Sequence, residues 1–429
     1  MSKFVIEGGK PLVGSITVPG NKNAVLPAMA ASLLTDEEIE LSNVPHILDV
    51  KTMGLLLQDL GVKVEGTNTR KIRLTARQAS LKQPNEKLVA DLRASVLLLG
   101  PMLARFGKAG LRHPGGDIIG RRSIDQHILA LTQLGATVKR SGLMNILSAK
   151  QLKGTKIYLK EASVTATENL LMAAVTAKGR TEIVNAASEP HVVCLGKLLN
   201  KMGAKIEGLG TNRIVTDGVS RLHGCGHAVR PDHIEAGTWA IAAAATDGEI
   251  DIHSVHPDDM TPILGVLSGM GVATQEINCR EHLPNPEGLV CIRAKKGRLK
   301  GGEKLQTNVW PGFPTDLVSP TIVLATQAEG MTLAHDWMYE GRMFFVDRLI
   351  KMGANIIIAD PHRVIISGPT PLYGRHTSSP DIRAGIALVI AALAARGESQ
   401  INMAELVDRG YEMLEQRLIK LGAKISRVS

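Results

Sequence analysis

The sequence predicts an α/β protein of two domains, built from six copies of one α/β unit with three copies in each domain. A phrase ending in Leu-Gly or Met-Gly recurs six times among the 429 residues, at intervals of roughly 70 residues, and such self-similarity decides architecture before any local motif does. The glycines of the six phrases are Gly61, Gly135, Gly203, Gly271, Gly353 and Gly422. A chain of this length also exceeds one ordinary core, which favours two compact domains over a solenoid.

Each copy of the unit predicts a helix, a glycine cap and a strand. In "LLNKMGAKIEG", residues 198–208, apolar residues at helical spacing lead to a glycine that suits a left-handed helix C-cap, and an alternating strand follows. Upstream in each copy is a second helix rich in alanine and leucine with a short strand after it, as in "AAAATDGEIDIHS", residues 242–254. The unit therefore contains two helices and several strands.

The border between the domains is expected near "HAVRPDH", after the strands of the third unit. The first domain is then residues 22–230 and carries a loop over 112–123. The second is 1–21 together with 231–429, because the strand-like stretch "KFVIEGGKPLVGSITVPG" precedes the first helix and is expected to pair in the second domain. The chain would cross between the domains twice.

The net charge of +9 indicates an anionic partner, which could be nucleic acid, a membrane surface or a phosphorylated metabolite. Aromatic residues make up 3% of the chain and leave few rings on which bases could stack. This favours small-molecule substrates over nucleic acid. A basic nucleic-acid-binding protein that reuses the repeated unit stays as an alternative.

No metal, cofactor or membrane partner is expected. The four cysteines, Cys194, Cys225, Cys279 and Cys291, form no CxxC pair, so neither zinc nor a disulfide framework is indicated. The histidines show no HExxH spacing, and no GxxxxGK[ST] loop supports ATP or a dinucleotide. The first residues lack an apolar signal core, and the longest apolar run, 386–395, is too short to span a bilayer. These features predict a cytoplasmic protein.

Cations cluster where the helices of the six units are predicted to begin. They are Lys22, Arg93, Arg122, Arg342, Arg383 and Arg409. Free N–H groups and a partial positive charge make helix starts favourable for anions, so we expect a cleft between the domains that holds several phosphates or carboxylates. Each arginine alone could equally form a surface salt bridge, and Asp49, Asp381 and Ser163 could be plain N-caps.

Asp117 lies in "RHPGGDIIGRRSIDQH", residues 112–127, between a Gly-Gly pair and an Arg-Arg pair. Its carboxylate either balances the neighbouring charges or is an acid held where a substrate phosphate will bind. Glycines near both ends of the loop 112–123 suit a mobile lid that excludes water. We hypothesise that the lid closes after a nucleotide substrate binds first.

The motifs "PGNKNAVLP", "PGG" with "IGRRSID", "FPTD" and "DRGYE" resemble the enolpyruvyl transferase superfamily over essentially the whole chain. The likeness is greatest to members acting on UDP-N-acetylglucosamine. It implies a pair of inside-out α/β barrels that transfers the enolpyruvyl group of phosphoenolpyruvate to the sugar 3-hydroxyl and releases phosphate. That reaction opens peptidoglycan precursor synthesis, on which cell wall biogenesis, cell shape and cell division depend.

The resemblance also implies roles for residues. Lys22, Asn23 and Arg122 would hold phosphoenolpyruvate, with Arg409 at its carboxylate. The nucleotide sugar would contact Asn23, Arg93, Arg122, Ser123, Ile124, Asp125, Ser163, Val164, Asp316 and Met338. Arg342, Arg383 and Asp381 would support the site.

Three residues are expected to be catalytic: Asp117, Lys22 and Asp316. Asp316 would take the proton of the acceptor hydroxyl, although it could instead be a helix N-cap, and Lys22 would neutralise phosphate charge. At the position of Asp117, family members usually carry a cysteine that acts as general acid and is the target of fosfomycin. Because a carboxylate is a poorer nucleophile toward an epoxide than a thiolate, we expect resistance to fosfomycin.

Four positions depart from the family pattern. Gly341 stands where asparagine is common, Glu161 where lysine is often found, Thr165 where glycine is usual and His233 where arginine is usual. A lost positive charge near the nucleotide would alter diphosphate binding. Another acceptor, such as a different nucleotide or a shikimate-like acid, therefore stays open.

Overall fold

The computed structural model describes residues 2–117, 119–120, 122–142, 144–278, 288–302 and 304–428. Of the four cysteines, Cys279 lies outside this part of the chain, and Cys194 and Cys225 are free thiols. Cys291 is disulfide-bonded, so the expectation that no cysteine forms a disulfide was wrong for this residue.

The helices alternate with short strands along the chain. The described α-helices are α1 Lys22–Ala31, α2 Leu48–Asp59, α3 Glu86–Asp91, α4 Leu99–Phe106, α5 Asp125–Gln133, α6 Val164–Ala174, α7 Pro190–Lys201, α8 His233–Ala245, α9 Pro257–Gly269, α10 Val318–Thr326, α11 Val346–Lys351, α12 Ile382–Ala394 and α13 Leu414–Lys420. Short 3₁₀ helices span Ser32–Leu34, Arg93–Leu98, Thr315–Leu317, Arg342–Phe345 and Ala404–Arg409.

The strands are three to seven residues long. They are β1 Lys3–Glu7, β2 Val13–Thr17, β3 Glu38–Ser42, β4 Lys63–Glu65, β5 Lys71–Thr75, β6 Lys108–Arg112, β7 Thr137–Ser141, β8 Met144–Ser148, β9 Lys156–Tyr158, β10 Arg180–Val184, β11 Lys205–Glu207, β12 Arg213–Asp217, β13 Cys225–Ala228, β14 Glu249–Val255, β15 Val272–Ile277, β16 Val290–Lys296, β17 Lys304–Gln306, β18 Gly330–His335, β19 Asn355–Asp360, β20 Arg363–Gly368, β21 His376–Ser378, β22 Glu398–Asn402 and β23 Lys424–Val428.

The strands of the described chain form six sheets, one for each predicted unit. Their strand orders are β13-β3-β5-β4, β6-β8-β7, β11-β12-β10-β9, β15-β16-β14-β2, β17-β18-β20-β19 and β21-β22-β1-β23. Each four-stranded sheet pairs one edge strand in parallel and the other strands antiparallel. For example, β14 pairs in parallel with the edge strand β2 and antiparallel with β16. The six-unit α/β prediction is confirmed.

The recurring glycines end helices as predicted. All six have positive φ, between 85° and 104°, a region that costs glycine little because it has no Cβ. In every copy the helix before the glycine and the strand after it are present: α2 and β4, α5 and β7, α7 and β11, α9 and β15, α11 and β19, α13 and β23. The cap turns each chain segment from the helix into the strand.

The chain also divides into two compact parts, each much larger than one repeated copy. They are called the first unit and the second unit from here on. The first unit is Gly20–Gly116 with Arg122–Arg230, and the second is Met1–Pro19, Asp117–Arg121 and Pro231–Ser429. In the second unit β1 pairs with β22 and β23. The expected division kept the whole loop 112–123 in the first domain, whereas contacts group the segment that begins at Asp117 with the second unit.

Each unit carries helices inside and sheets outside, which is the inside-out arrangement. In the second unit α8, α10 and α12 are almost entirely buried and pack on one another. In the first unit α4 packs against α6, and all but four residues of α6 and α1 together are buried. The two cores are aliphatic, with alanine-rich helices at their centres. Within the described ranges no helix has the length and apolarity needed to cross a bilayer.

Candidate active site

Asp117 and Arg409 form an ion pair in the second unit. Asp117 Oδ1 and Arg409 Nη1 are 2.7 Å apart, and the two side chains are 15% and 14% exposed. Arg409 ends the 3₁₀ helix Ala404–Arg409, five residues before α13 begins. The charge-balancing contact considered for Asp117 is therefore present, and its partner is the arginine that the resemblance assigns to phosphoenolpyruvate.

Gly341 gives the segment after Asp117 room to pack in the second unit. Its N–H donates to the carbonyl of Ile119 at 2.9 Å. A Cβ at Gly341 would lie 2.6 Å from the carbonyl carbon of Ile119, closer than side chains tolerate. The asparagine common in the family would not fit this arrangement, which explains one of the four departures.

Asp316 lies between two buried arginines. Its Oδ1 accepts from Arg342 Nη2 at 3.2 Å and its Oδ2 from Arg383 Nη2 at 2.9 Å. The arginine side chains are 2% and 6% exposed, while that of Asp316 is 25% exposed. Asp316 lies within the 3₁₀ helix Thr315–Leu317, where no side-chain cap bond is formed, so it does not serve as an N-cap.

Asp336 is a buried carboxylate that sequence reasoning missed. It follows β18, is fully buried and accepts from Thr307 Oγ1 at 3.0 Å and from Thr315 Oγ1. It also accepts from the backbone N–H of Met338 at 2.9 Å, and Arg342 Nε lies 3.8 Å away. The only indication of Asp336 in the sequence is its position, a single acidic residue directly after an apolar strand. Asp336 thereby links Met338 to the Asp316 cluster.

Asp381 is an N-cap, as its position suggested. Its Oδ1 accepts from the backbone N–H groups of Arg383 and Ala384 at the start of α12. Burial raises the pKa of the Asp381 carboxyl above its usual value and the charge of Asp117 acts in the same direction, while Arg342 and the two backbone bonds lower it. These charges are therefore close enough to influence one another.

Lys22 in the first unit is the first residue of α1 and pairs with Asp49, at 2.8 Å between Nζ and Oδ2. Asp49 lies in the first turn of α2 and is buried. Asn21, missed from the sequence, caps α1 by accepting from the N–H groups of Asn23 and Ala24 at 2.7 and 3.1 Å. The cap and the ion pair fix where the ammonium group of Lys22 lies.

Arg93 begins a 3₁₀ helix of the first unit and donates to two main-chain carbonyls, Pro114 O at 3.4 Å and Ser123 O at 3.2 Å. Ser123 Oγ contacts Asp125 Oδ2 and accepts from Asp125 N at 3.0 Å. The side chain of Asp125 is 75% exposed. Arg93 thus holds the backbone that leads into α5, and Asp125 faces solvent.

Two neighbours of Ser123 differ in burial. Arg122 is half-buried, three residues before α5 begins. Ile124 is 4% exposed and belongs to the core of the first unit. Any contact of Ile124 with a substrate would therefore involve its backbone.

Ser163 and Val164 begin α6. Ser163 occupies the N-cap position without a side-chain cap bond. Two residues after Ser163, Thr165 Oγ1 lies 3.1 Å from Nε2 of His127. His127 also contacts Asn169 Nδ2 through Nδ1 at 2.8 Å, and burial, aided by Arg93, lowers its pKa to about 3. This buried histidine, also missed from the sequence, ties α5 to the start of α6.

The remaining departures have different surroundings. Glu161 is exposed, and its carbonyl accepts from Ser163 N at 2.7 Å. His233 is the first residue of α8, is buried, and meets the ring of Trp310 edge-on at 5.6 Å. In the described chain no group of three histidines, cysteines or acids is arranged to hold a metal ion.

The predicted residues therefore fall into two sets. In the second unit, hydrogen bonds and ion pairs connect Asp316, Met338, Arg342, Asp381 and Arg383. Asp117 and Arg409 form a separate pair, and the charge of Asp117 influences Asp381. In the first unit, Lys22 with Asn23 lies at α1, and Arg93, Arg122, Ser123, Ile124 and Asp125 lie before or at α5, while Ser163 and Val164 begin α6.

Comparison with known proteins identifies relatives over the full length. A family model described as EPSP synthase (3-phosphoshikimate 1-carboxyvinyltransferase) matches residues 6–418. A UDP-N-acetylglucosamine 1-carboxyvinyltransferase of Treponema denticola is 46% identical, covering 99% of both chains. Proteins of the same name from Bradyrhizobium diazoefficiens and Bacteroides fragilis are 45% and 44% identical, covering at least 98% of each chain.

Solved structures agree in fold. The enolpyruvyl transferase NikO from Streptomyces tendae matches with a TM-score of 0.87 at 23% identity, covering 100% of this chain and 99% of that one. The EPSP synthase of Acinetobacter baumannii matches with a TM-score of 0.75 at 21% identity, covering 100% of both chains.

Proposed function

Because this chain belongs to the enolpyruvyl transferase family, we propose that it transfers the enolpyruvyl group of phosphoenolpyruvate to the 3-hydroxyl of UDP-N-acetylglucosamine and releases phosphate. The observation that carries the proposal is 43 to 46% identity, over 98% or more of both chains, to enzymes named for that substrate. The product would be the first committed precursor of peptidoglycan. Both substrates are charged metabolites that do not cross membranes unaided, so we place the reaction in the cytoplasm.

The reaction needs a base at the acceptor hydroxyl and an acid at C3 of phosphoenolpyruvate. The acceptor oxygen bonds to C2 while C3 gains a proton, and the adduct then loses a C3 proton and phosphate. Asp316 is suited to be the base because its carboxylate is held by Arg342 at one oxygen and by Arg383 at the other, which fixes its orientation. Its partial exposure lets a substrate hydroxyl reach it.

Asp117 is proposed as the acid at C3, and its pairing with Arg409 suggests how substrate frees it. The carboxylate of phosphoenolpyruvate would replace that of Asp117 on the Arg409 guanidinium, since both are carboxylates that bind arginine in the same way. Asp117 would then be free to take and deliver a proton. Lys22 and Arg122 would neutralise the phosphate, whose charge grows as it leaves.

The other predicted residues are proposed to hold the nucleotide sugar. Arg93 and Ser123 order the backbone before α5. Val164 presents a backbone N–H at the start of α6, which suits an anionic diphosphate, and Ser163 would contribute its side chain because its own N–H donates to Glu161. Asn23, Ile124, Asp125 and Met338 complete the set, while Arg342, Arg383 and Asp381 act through Asp316.

The experiment is phosphate release from phosphoenolpyruvate by purified protein, with and without UDP-N-acetylglucosamine. We expect release only with both substrates present, together with a product heavier than the acceptor by one enolpyruvyl group. 3-Phosphoshikimate is the matched alternative acceptor, favoured by the description of the family model and left open by the departures at Glu161, Thr165 and His233. If phosphate is released from phosphoenolpyruvate with 3-phosphoshikimate but not with UDP-N-acetylglucosamine, the proposed acceptor is wrong and the proposed enolpyruvyl transfer is right.

A further inference from the structure

A buried chain of hydrogen bonds connects Asp316 to the backbone of α8 in the second unit. Arg383 donates through Nη2 to Asp316 at 2.9 Å and through Nη1 to the hydroxyl of Tyr411 at 3.1 Å. The Tyr411 hydroxyl lies 2.9 Å from Thr238 Oγ1, which donates to the carbonyl of Ile234 at 2.8 Å. Tyr411 belongs to the "DRGYE" motif, but no role has yet been assigned to it.

The hydrogen bonds that join Arg383, Tyr411 and Thr238 can run in only one donor-to-acceptor direction. A guanidinium has no acceptor, so the Tyr411 oxygen accepts from Arg383 and its hydrogen points to Thr238. Thr238 then uses its own hydrogen for the Ile234 carbonyl. Burial raises the pKa of the Tyr411 phenol above its usual value, with Arg383 opposing, so the hydrogen that the chain requires is present at neutral pH.

Water cannot replace any of these hydrogen-bond partners unless the surrounding residues rearrange, because all three side chains are buried. Tyr411 is fully buried, Thr238 is 1% exposed and Arg383 is 5% exposed. Removing the phenol oxygen would leave a buried guanidinium donor without its acceptor, which costs more than the bond itself contributes. The carboxylate would then be the main group left to orient that end of Arg383.

The phenol oxygen can be tested separately from the ring. The guanidinium carbon of Arg383 lies 5.6 Å from the centre of the Tyr411 ring, a cation–π distance. Phenylalanine keeps the ring and its packing and removes only the oxygen. Tyr411→Phe therefore tests the hydrogen bond alone.

We propose that Tyr411 is a positioning residue, whose hydroxyl orients the Arg383 guanidinium so that Arg383 holds the Asp316 carboxylate toward the acceptor hydroxyl. The inference rests on the proposed role of Asp316 as base. Thr238 is the next link and orients Tyr411 in turn. A small misplacement of a base lowers the rate of proton transfer more than it lowers substrate affinity.

The test measures kcat and both KM values by phosphate release for the full chain. For Tyr411→Phe we expect kcat to fall by roughly 30- to 100-fold, while each KM stays within about threefold, as for other residues that orient a reacting group. Thr238→Val should lower kcat by about five- to tenfold, because one more bond separates it from Arg383. Thr238→Ser keeps the hydroxyl and should behave as wild type, as should the control Tyr373→Phe at an exposed tyrosine.

Each outcome decides the inference. A kcat for Tyr411→Phe within about twofold of wild type overturns it, even if the melting temperature falls, because a purely structural role lowers stability alone. If Tyr411→Phe does not fold, equal kcat values for Thr238→Val and Thr238→Ser overturn it instead. If wild type releases no phosphate with any acceptor, the proposed function is wrong and this inference is wrong with it.

Discussion

The Asp316 cluster of the second unit and the region around Arg93 in the first unit hold their predicted charges in different ways. In the second unit Arg342 and Arg383 are nearly inaccessible to solvent, and each is bound to a carboxylate of the same unit. In the first unit Arg93 donates to backbone carbonyls, and the nearby Asp125 is mostly exposed. The Asp316 cluster is therefore a buried network of charges, whereas the segment around Arg93 is solvated and is held through its backbone carbonyls.

The difference follows from the cost of burying charge. A guanidinium removed from water must be paired, so buried arginines have fixed partners and fixed geometry before substrate arrives. Charges on a hydrated loop need no partner and can exchange water for a ligand. We therefore expect substitutions in the Asp316 cluster to affect catalysis and stability together, and those near Arg93 to affect substrate affinity.

The largest effect is expected for Asp316→Asn. The substitution removes the proposed base and takes a charged partner from two buried arginines, of which Arg342 keeps only Asp336 within the described chain. We expect kcat to fall at least about a thousandfold and unfolding free energy by about 3 kcal/mol. Phosphate release and urea denaturation measure the two quantities. The matched control is Asp247→Asn, at a carboxylate of the same unit that is 76% exposed, for which both should be nearly unchanged. Activity of Asp316→Asn within tenfold of wild type would exclude Asp316 as the base.

Asp117→Asn should have the next largest effect. Loss of the proposed proton donor should lower kcat by about a hundred- to a thousandfold. KM for phosphoenolpyruvate should not rise, because the variant has no charged carboxylate to compete for Arg409. Asp117→Cys tests the same position: it should stay active and become irreversibly inactivated by fosfomycin, which wild type should resist. Inactivation of wild type at low drug concentration would contradict the assignment.

Acid should destabilise the first unit through His127, a buried and neutral residue of α5, the helix that follows the backbone segment held by Arg93. Its folded-state pKa of about 3 lies under the ordinary value of 6.5. The unfolded chain therefore takes up the proton first, and stability that is complete above pH 6.5 is lost as pH falls toward 3. The loss approaches about 1.4 kcal/mol per pH unit. Urea denaturation of wild type and His127→Gln at pH 7, 6 and 5 measures it, and parallel pH dependences would contradict the prediction.

Arg93→Lys should show the smallest effect. Lysine keeps the charge but loses the planar fork that reaches the carbonyls of Pro114 and Ser123. We expect KM for UDP-N-acetylglucosamine to rise by about tenfold with kcat within threefold. The control is Arg140→Lys, at an exposed arginine 3.9 Å from Asp125. A drop in kcat as large as that of Asp316→Asn would remove the contrast between the two regions.

Much of the fold was predictable because it repeats. A glycine after each amphipathic helix indicated the left-handed turn, and positive φ at Gly61 and at its five counterparts confirms this. The buried partners of the site were harder to predict. Asp336 and His127 have no motif around them, and their importance depends on burial and on neighbours distant in sequence.

The sequence by itself determined the six-unit architecture and the positions of cations near helix starts, because periodicity and capping are local properties of the chain. Only the tertiary structure decided that Asp316 joins Arg342 and Arg383, that Asp117 pairs with Arg409, and that Arg383 donates to the Tyr411 hydroxyl. The ion pair between Asp117 and Arg409 joins residues 292 positions apart. The physical reason is that a buried charge takes whichever partner the packed helices bring within hydrogen-bonding distance, and local sequence does not encode that choice.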